Sequence, residues 1–466
     1  MPSFTFFFLF ILLLKISLLK IIIPFKTNDY FYTNDSTKFI LNYFIKVLSV
    51  DISIGEPKQI ITLAACLGEY NTFIISKDCE GYEGIYSQNK SDTYKKLEAK
   101  PIDYIFEMFD NGIISEEKFI FNNNEMNELK FMNVFHYGDN QCYNAYCEVL
   151  TQPGILGFLI EQNRNTEEDL SKINFIKQLK NKRLIPNYNF YFEIFSDNNT
   201  GNIIIGEDEK ESYFPQLPNK TFSFITVSNM DYGLDWALKF DEIYYGEERL
   251  SKDIISQSIF RIEFGFIKGN YEMEKYIDNN FFDDLIKEKI CFRKTIDFLN
   301  FGSTLYYYYC NKNVDLTKFK PWKFTINEFK ENFTFTYEDL FLDIGDKYIF
   351  LMIYNVLPNM YLGYPFFKKY KFIFNPDNKT IGYYGNIDPN ENTDNSEPKS
   401  KTVYIIVISF LSVVLISLAI FAFIIIFIKK KKKKNAKELL DETPYNNNYN
   451  NNEGLIPNEE STDSKN

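Results

Sequence analysis

Histidine is almost missing from this chain: among 466 residues there is one, His136. That scarcity excludes His-based metal-ligand spacings, and the six cysteines are too scattered to supply one instead. It also leaves any cysteine nucleophile without an evident general base. Basic charge is in deficit, with 51 Lys and Arg against 63 Asp and Glu and a formal net charge of −12. Such a balance argues against a nucleic-acid partner, which needs a basic surface to displace counterions. Glycine is sparse beside the aromatics, 20 Gly against 48 Phe and 34 Tyr, a bias of the kind that AT-rich coding produces, and no function follows from it. Nor does any cofactor. Hydrophobic residues make up 45%, enough to bury a core, and the length suits one large bilobal domain or two ordinary ones.

Two apolar segments bear on the compartment. Residues 4–14 carry no charge and are followed by Lys15, Ile16 to Leu19, Lys20 and Ile21 to Ile23. This length fits a signal-peptide core rather than a membrane span, giving a signal over residues 1–24. No basic residue precedes the core and no small-residue cleavage site is evident, so the cut point stays open. Residues 403–428, opening on Val403 and closing on Ile428, are uncharged and long enough to cross a bilayer. Six lysines, Lys429 to Lys434, follow at once and mark the cytoplasmic side. The expectation is a single-pass protein of the secretory pathway or cell surface, with its bulk lumenal or extracellular. A polar stalk at 387–402 precedes the span, and an Asn-rich, disordered cytoplasmic tail at 429–466 follows it. No sorting motif separates plasma membrane from endosome or vacuole. The Asn-x-Ser/Thr triplets agree: Asn34, Asn89, Asn198, Asn219, Asn332 and Asn378 all precede the span. So do the cysteines, where disulfides persist. Their spacings suggest Cys142–Cys147 as a small loop and Cys291–Cys310 as a larger one. Cys66 and Cys79 are left over, and the first four cysteines allow three connectivities.

Between signal and span, turn signals recur among β-branched and aromatic runs at the spacing of an all-β protein. Strands are expected at 47–54, 59–65, 72–76, 202–205 and 348–353. Helical patterns are few, at 167–179, 273–277 and 281–289.

One stretch carries the functional reading. Ile54-Gly55-Glu56-Pro57-Lys58-Gln59 forms a turn, residues 60–65 an apolar strand, Cys66-Leu67-Gly68-Glu69 a tight loop, and residues 72–76 a second strand. A loop tip between converging strands presents one side chain to a cleft. This stretch resembles the pepsin-like aspartic proteases, in which Ile-Gly-x-Pro-x-Gln and an apolar strand lead into the first catalytic Asp-Thr-Gly-Ser. Every spacing matches, so Cys66 stands in the place of the Asp, Gly68 keeps the glycine, and Leu67 and Glu69 replace Thr and Ser. Ser91-Asp92-Thr93-Tyr94 is similar to the family's Ser-x-Thr-Tyr. Tyr104 fits the flap tyrosine, although Ile105-Phe106-Glu107 replaces the glycine-rich tip. Gly154-Ile155-Leu156-Gly157 resembles the segment bracing the first loop. In the second half, Gly201 to Gly206, Trp236-Ala237-Leu238 with Ile243 and Gly246, and Tyr361-Leu362-Gly363 continue the likeness. Residues 258–266 fall where the second Asp-Thr-Gly is carried, with Glu263 for Asp, Phe264 for Thr and Gly265 for Gly.

The resemblance spans about residues 43–384. It implies an all-β, bilobal acid-protease fold with lobes at 40–215 and 216–386, around a cleft closed by the flap. It also implies what the chemistry needs: two carboxylates sharing one proton, one activating water and the other protonating the substrate carbonyl. Here at most one carboxylate remains, and no Asp-Thr-Gly or Asp-Ser-Gly triplet occurs anywhere. A neutral thiol cannot hold half of a shared proton. Glu263 is a methylene longer than Asp, and the loop-bridging hydroxyls are replaced by Leu67 and Phe264. Only about twenty residues separate the signal from a first strand expected near Tyr43, short for the family's pro-segment. The expectation is therefore a membrane-anchored pseudoprotease that binds peptide or protein. The alternatives are an active aspartic endopeptidase and a structural or adhesive surface glycoprotein.

Overall fold

The computed structural model describes residues 20–28, 44, 46–80, 86–97, 102–106, 109–121, 125–137, 154–159, 173–195, 199–206, 220–226, 235–250, 257–296, 304–329, 331–355 and 358–386. Contacts divide the chain into Met1–Ile387 and Asp388–Asn466, and the second unit lies outside these residues, as does the expected span at 403–428. Among the described residues no helix is long and apolar enough to cross a membrane.

The described part is mostly β, with its strands in sheets of fourteen, nine and four and few helices. The apolar runs explain this directly. Val47–Ile54 and Gln59–Cys66 are rich in apolar and β-branched residues, buried at most positions but open at Asp51 and Ile60, and they pair antiparallel from Leu48↔Ala65 to Ile54↔Gln59.

Both halves use the same device. In the first, Gly154–Gly157 lies between two strands, parallel to Gln59–Cys66 and antiparallel to Phe73–Glu80. In the second, Met360–Leu362 lies parallel to Gln257–Phe260 and antiparallel to Ile267–Asn270. The first inserted strand ends in Gly157 and the second is followed at once by Gly363, and over each glycine folds the loop of its own half. A Cβ on Gly157 would sit 2.6 Å from the Asn71 carbonyl oxygen, and one on Gly363 would sit 1.9 Å from that of Phe266. Backbone crowding of this kind admits only glycine.

The halves are not separate sheets joined by a hinge. Phe372–Asn375 pairs with Phe190–Ile194, so strands from both ends of the chain run through one sheet. An aromatic cluster locks that seam. The Phe190 and Phe374 rings stack at 5.2 Å, Trp236 meets Phe374 edge-on at 5.0 Å, and Trp236 Nε1 donates to the Phe158 carbonyl at 2.8 Å. A buried indole keeps its apolar area inside only if its N–H finds such an acceptor.

Several expectations need correcting. Among the described residues the first strand is Ile21–Asn28, ahead of the one expected near Tyr43, and it lies between Thr200–Ile205 and Val47–Ile54. It overlaps the segment 1–24 read as a signal, and Ile21, Ile23 and Phe25 are buried in the core. The apolar run was a sheet strand at its C-terminal end, a distinction hydropathy alone does not draw. The single run 348–353 is two strands, Lys347–Phe350 and Met352–Asn355. The expected helices appear as Phe175–Asn181, Tyr271–Ile277 and a π-turn and helix over Asp278–Lys287, whereas residues 167–172 lie outside the described set. Cys291 and Cys310 form the expected disulfide across paired strands. Cys142 and Cys147 lie outside the described residues, and Cys79 is on Phe73–Glu80.

Because the strand from Ile21 is structural, N-terminal sequencing of the mature protein is expected to place any cut at or before Lys20; a chain beginning after Pro24 would contradict the sheet. Phe25→Ala should lower stability by about 3–5 kcal/mol, read from denaturant midpoints.

Candidate active site

The two loops meet at their tips. Cys66 ends its strand with its carbonyl accepting from the Phe158 amide at 2.9 Å, which fixes the loop from below. Glu263 lies in the equivalent loop of the second half. Its carbonyl accepts from Lys46 N at 2.9 Å, and the next glycine, Gly265, donates to the Phe44 carbonyl at 2.9 Å. The segment around Phe44 thus straps the second loop to the first half, and the Phe44 ring packs edge-on against Phe266 at 5.6 Å.

Across this junction the Cys66 thiol donates to Glu263 Oε1 at 3.6 Å. The two positions assigned to the degenerate dyad are therefore neighbours, brought together from 197 residues apart. Both are sealed, Cys66 at 0% and Glu263 at 1% exposure. Burial, with the charges of Glu263 and Glu69, raises the thiol well above its ordinary 9.0, against smaller pulls from Arg261 and the Gly68 amide. The sulfur is a neutral thiol. Burial also raises the Glu263 carboxyl above 4.5, with Arg261 opposing.

Arg261 is the residue sequence reasoning passed over. It interrupts the apolar run Ile259-Phe260-Arg261-Ile262, and that interruption was the available signal. Its Nε lies 3.8 Å from Glu263 Oε1, and its guanidinium donates to Asp235 Oδ1 at 2.9 Å. A cation here favours the ionised form of Glu263, whereas a proton-sharing pair needs a second acid. Lys268 was missed similarly. It is fully buried, donates to the Asn359 carbonyl at 2.7 Å and lies 4.6 Å from the Tyr361 ring centre, and burial pulls its amine from 10.5 down to about 7. Tyr361 in turn packs against Phe264 at 5.8 Å, so this lysine supports the wall behind the second loop.

The other replacements fill space. Leu67 and Phe264 are buried where bridging hydroxyls were expected, and Phe264 stacks on Phe266 at 5.1 Å. Glu69 turns back on its own loop, its Oε1 accepting from the Tyr70 and Asn71 amides at 2.8 and 3.1 Å. Tyr104 lies on the strand Ile102–Phe106, paired with Phe109–Phe121 as a flap hairpin requires, but its side chain is outside the described residues. His136 pairs on the backbone with Glu80 and Asn111, away in sequence and register from Cys66. Among the described residues no three His, Cys, Asp or Glu side chains converge as a metal site would require. Of the sequon asparagines, Asn89, Asn332 and Asn378 are exposed, while Asn34, Asn198 and Asn219 lie outside the described residues.

Paired loops under bracing glycines, in two halves that share a sheet, define the acid-protease class of fold. The family model described as eukaryotic aspartyl protease matches residues 48–384, and the chain belongs to that family. No curated protein matches the chain.

Two measurements check the site. Because Glu263 is raised in the folded state, its contribution to stability is present below about pH 4.5 and is lost as pH rises through its folded value. Relative to Glu263→Gln, the wild type should therefore gain stability as pH falls from 7 to 4.5, seen in urea midpoints; an unchanged difference would show that the carboxyl is not perturbed. For Lys268 the sign is opposite. The unfolded chain binds the extra proton between pH 7 and 10.5, so stability rises with pH over that window and the penalty is full below it. Lys268→Met should be more stable than wild type at pH 7, with the advantage shrinking towards pH 10.

Proposed function

We propose that this protein is a membrane-anchored pseudoprotease: its aspartyl-protease domain faces the lumen or exterior, does not cleave peptide bonds, and binds a peptide or protein through its cleft or surface. The observation that carries this reading is the junction of the two loops, where a neutral thiol lies 3.6 Å from a single carboxylate. Family chemistry at this place divides one proton between two acids, so that one can activate water while the other protonates the carbonyl. Cys66 can do neither, and Glu263, whose carboxyl burial raises against the opposing pull of Arg261, has no second acid with which to divide a proton. Losing one general acid or base removes roughly 10²–10⁴-fold in rate, and here the burial of both groups adds exclusion of the water that would be activated. Anchoring rests on the apolar segment 403–428 with its lysine block, and lumenal orientation on the one-sided sequons.

An active endopeptidase is the second reading, favoured by one feature: Glu263 still faces the opposite loop with a carboxyl raised by burial. Full-length protein in detergent, incubated at acid pH with a denatured protein substrate, separates the two. No pepstatin-sensitive cleavage is expected. Cleavage that pepstatin blocks and Glu263→Gln abolishes would establish the enzyme. Retention of peptides from a random library, lost on substitution of cleft residues, separates a binding module from a purely structural or adhesive glycoprotein.

A further inference from the structure

Apart from the loop junction, an open groove of about 570 Å³ is lined by Glu242, Tyr244, Glu247, Lys323, Thr325 and Asn332, among others. It lies on the small sheet formed by Glu242–Tyr245, Glu248–Arg249, Trp322–Ile326 and Glu331–Phe335. Register places its residues in two rows across three strands. Glu242 is opposite Thr325, which is opposite Asn332; Tyr244 is opposite Lys323, which is opposite Thr334. Alternate residues of a strand share a face, so Asn332 and the Thr334 hydroxyl residue of its sequon stand on the same face as Tyr244 and Lys323.

The charges in the groove are already matched. Glu242 is held by Arg249 at 2.8 Å and by the Tyr244 hydroxyl, and Glu247 by Lys323 at 2.7 Å. A charged ligand would have to break one of these pairs, whereas a neutral polyhydroxylated one can hydrogen-bond to their outer edges and lie against the tyrosine ring. The size falls within the roughly 300–1,000 Å³ of small-ligand sites. Asn332, exposed and at the lip, is the attachment point of just such a ligand. We propose that the groove is the seat of this chain's own N-linked glycan, the N-acetylglucosamines next to Asn332 packing over Tyr244 and Thr325. In attachment the Asn332 amide nitrogen bonds to the sugar's anomeric carbon and loses a proton, and the lipid pyrophosphate carrier leaves with its oxygen. The tether makes seating intramolecular, so weak contacts suffice. Glu331–Phe335 is the edge of its sheet, and a seated glycan also covers that unpaired edge. The inference rests on the lumenal orientation proposed above.

The test uses the full chain made in glycosylating eukaryotic cells, with site occupancy read by mass spectrometry during digestion with a peptide N-glycosidase. Asn89 and Asn378, exposed on a 3-10 helix and a turn, serve as internal comparisons. The Asn332 glycan is expected to be released at least tenfold more slowly than theirs from native protein and at the same rate after denaturation. Tyr244→Ala should bring the native rate at Asn332 up to that of the other two. Equal native rates, or slow release unaffected by Tyr244→Ala, would overturn the seat. Occupancy at Asn89 and Asn378 with none at Asn332 would overturn it while leaving the orientation standing. No occupancy at any of the three would remove both.

Discussion

The structure depends on the closure of two loop tips over one buried contact, the Cys66 thiol against the Glu263 carboxylate. Each loop is held from behind by a short inserted strand whose terminal glycine leaves no room for a side chain, so the tips cannot spread independently. The segment around Phe44 then carries the first half's backbone across to the second loop. In this geometry whatever stands at the two tips is forced together out of water. Two acids so placed have to share a proton, since both cannot ionise at that distance. A thiol and an acid have no such obligation: the thiol stays neutral, and the acid takes its partner from Arg261, which Asp235 holds in turn. The scaffold brings two loop tips together, and the groups it brings together here are a thiol and one carboxyl.

That arrangement explains why the family is plain whatever stands at the tips. The fold is secured by interactions remote from the tips: the sheet common to both halves, the Trp236, Phe190 and Phe374 cluster, and the Cys291–Cys310 bridge. None of them needs a carboxylate at position 66 or 263. Replacing loop hydroxyls by Leu67 and Phe264 exchanges polar bridges for apolar packing, and a buried site tolerates this well because both partners of each bridge go together. Arg261 and Lys268 are the costly residues, charges placed in an apolar setting. Arg261 is compensated by two carboxylates, whereas the cost of Lys268 appears as its lowered amine value.

Much of this was legible in the sequence. The strands Val47–Ile54 and Gln59–Cys66, the two dyad positions and the larger disulfide follow from apolar runs, motif spacing and cysteine spacing, all of which are local signals. What escaped was non-local. Nothing in the apolar run before Asn28 distinguishes the end of a leader from the start of a buried strand; only its partners, Thr200–Ile205 and Val47–Ile54, do so. The pairing of Phe372–Asn375 with Phe190–Ile194 likewise joins residues far apart in the chain, so two lobes drawn from sequence share one sheet. Arg261 was visible as a charge inside an apolar run, but its role required knowing that Asp235 and Glu263 flank it.

The central claim concerns a single proton. Infrared difference spectra between wild type and Cys66→Ala isolate the S–H stretch of this thiol in the folded protein. That band should be present and unchanged from pH 4 to pH 8, and should shift in Glu263→Gln because the acceptor has changed. A band that disappears within that range, or that is absent throughout, would mean a thiolate at position 66 and would contradict that claim.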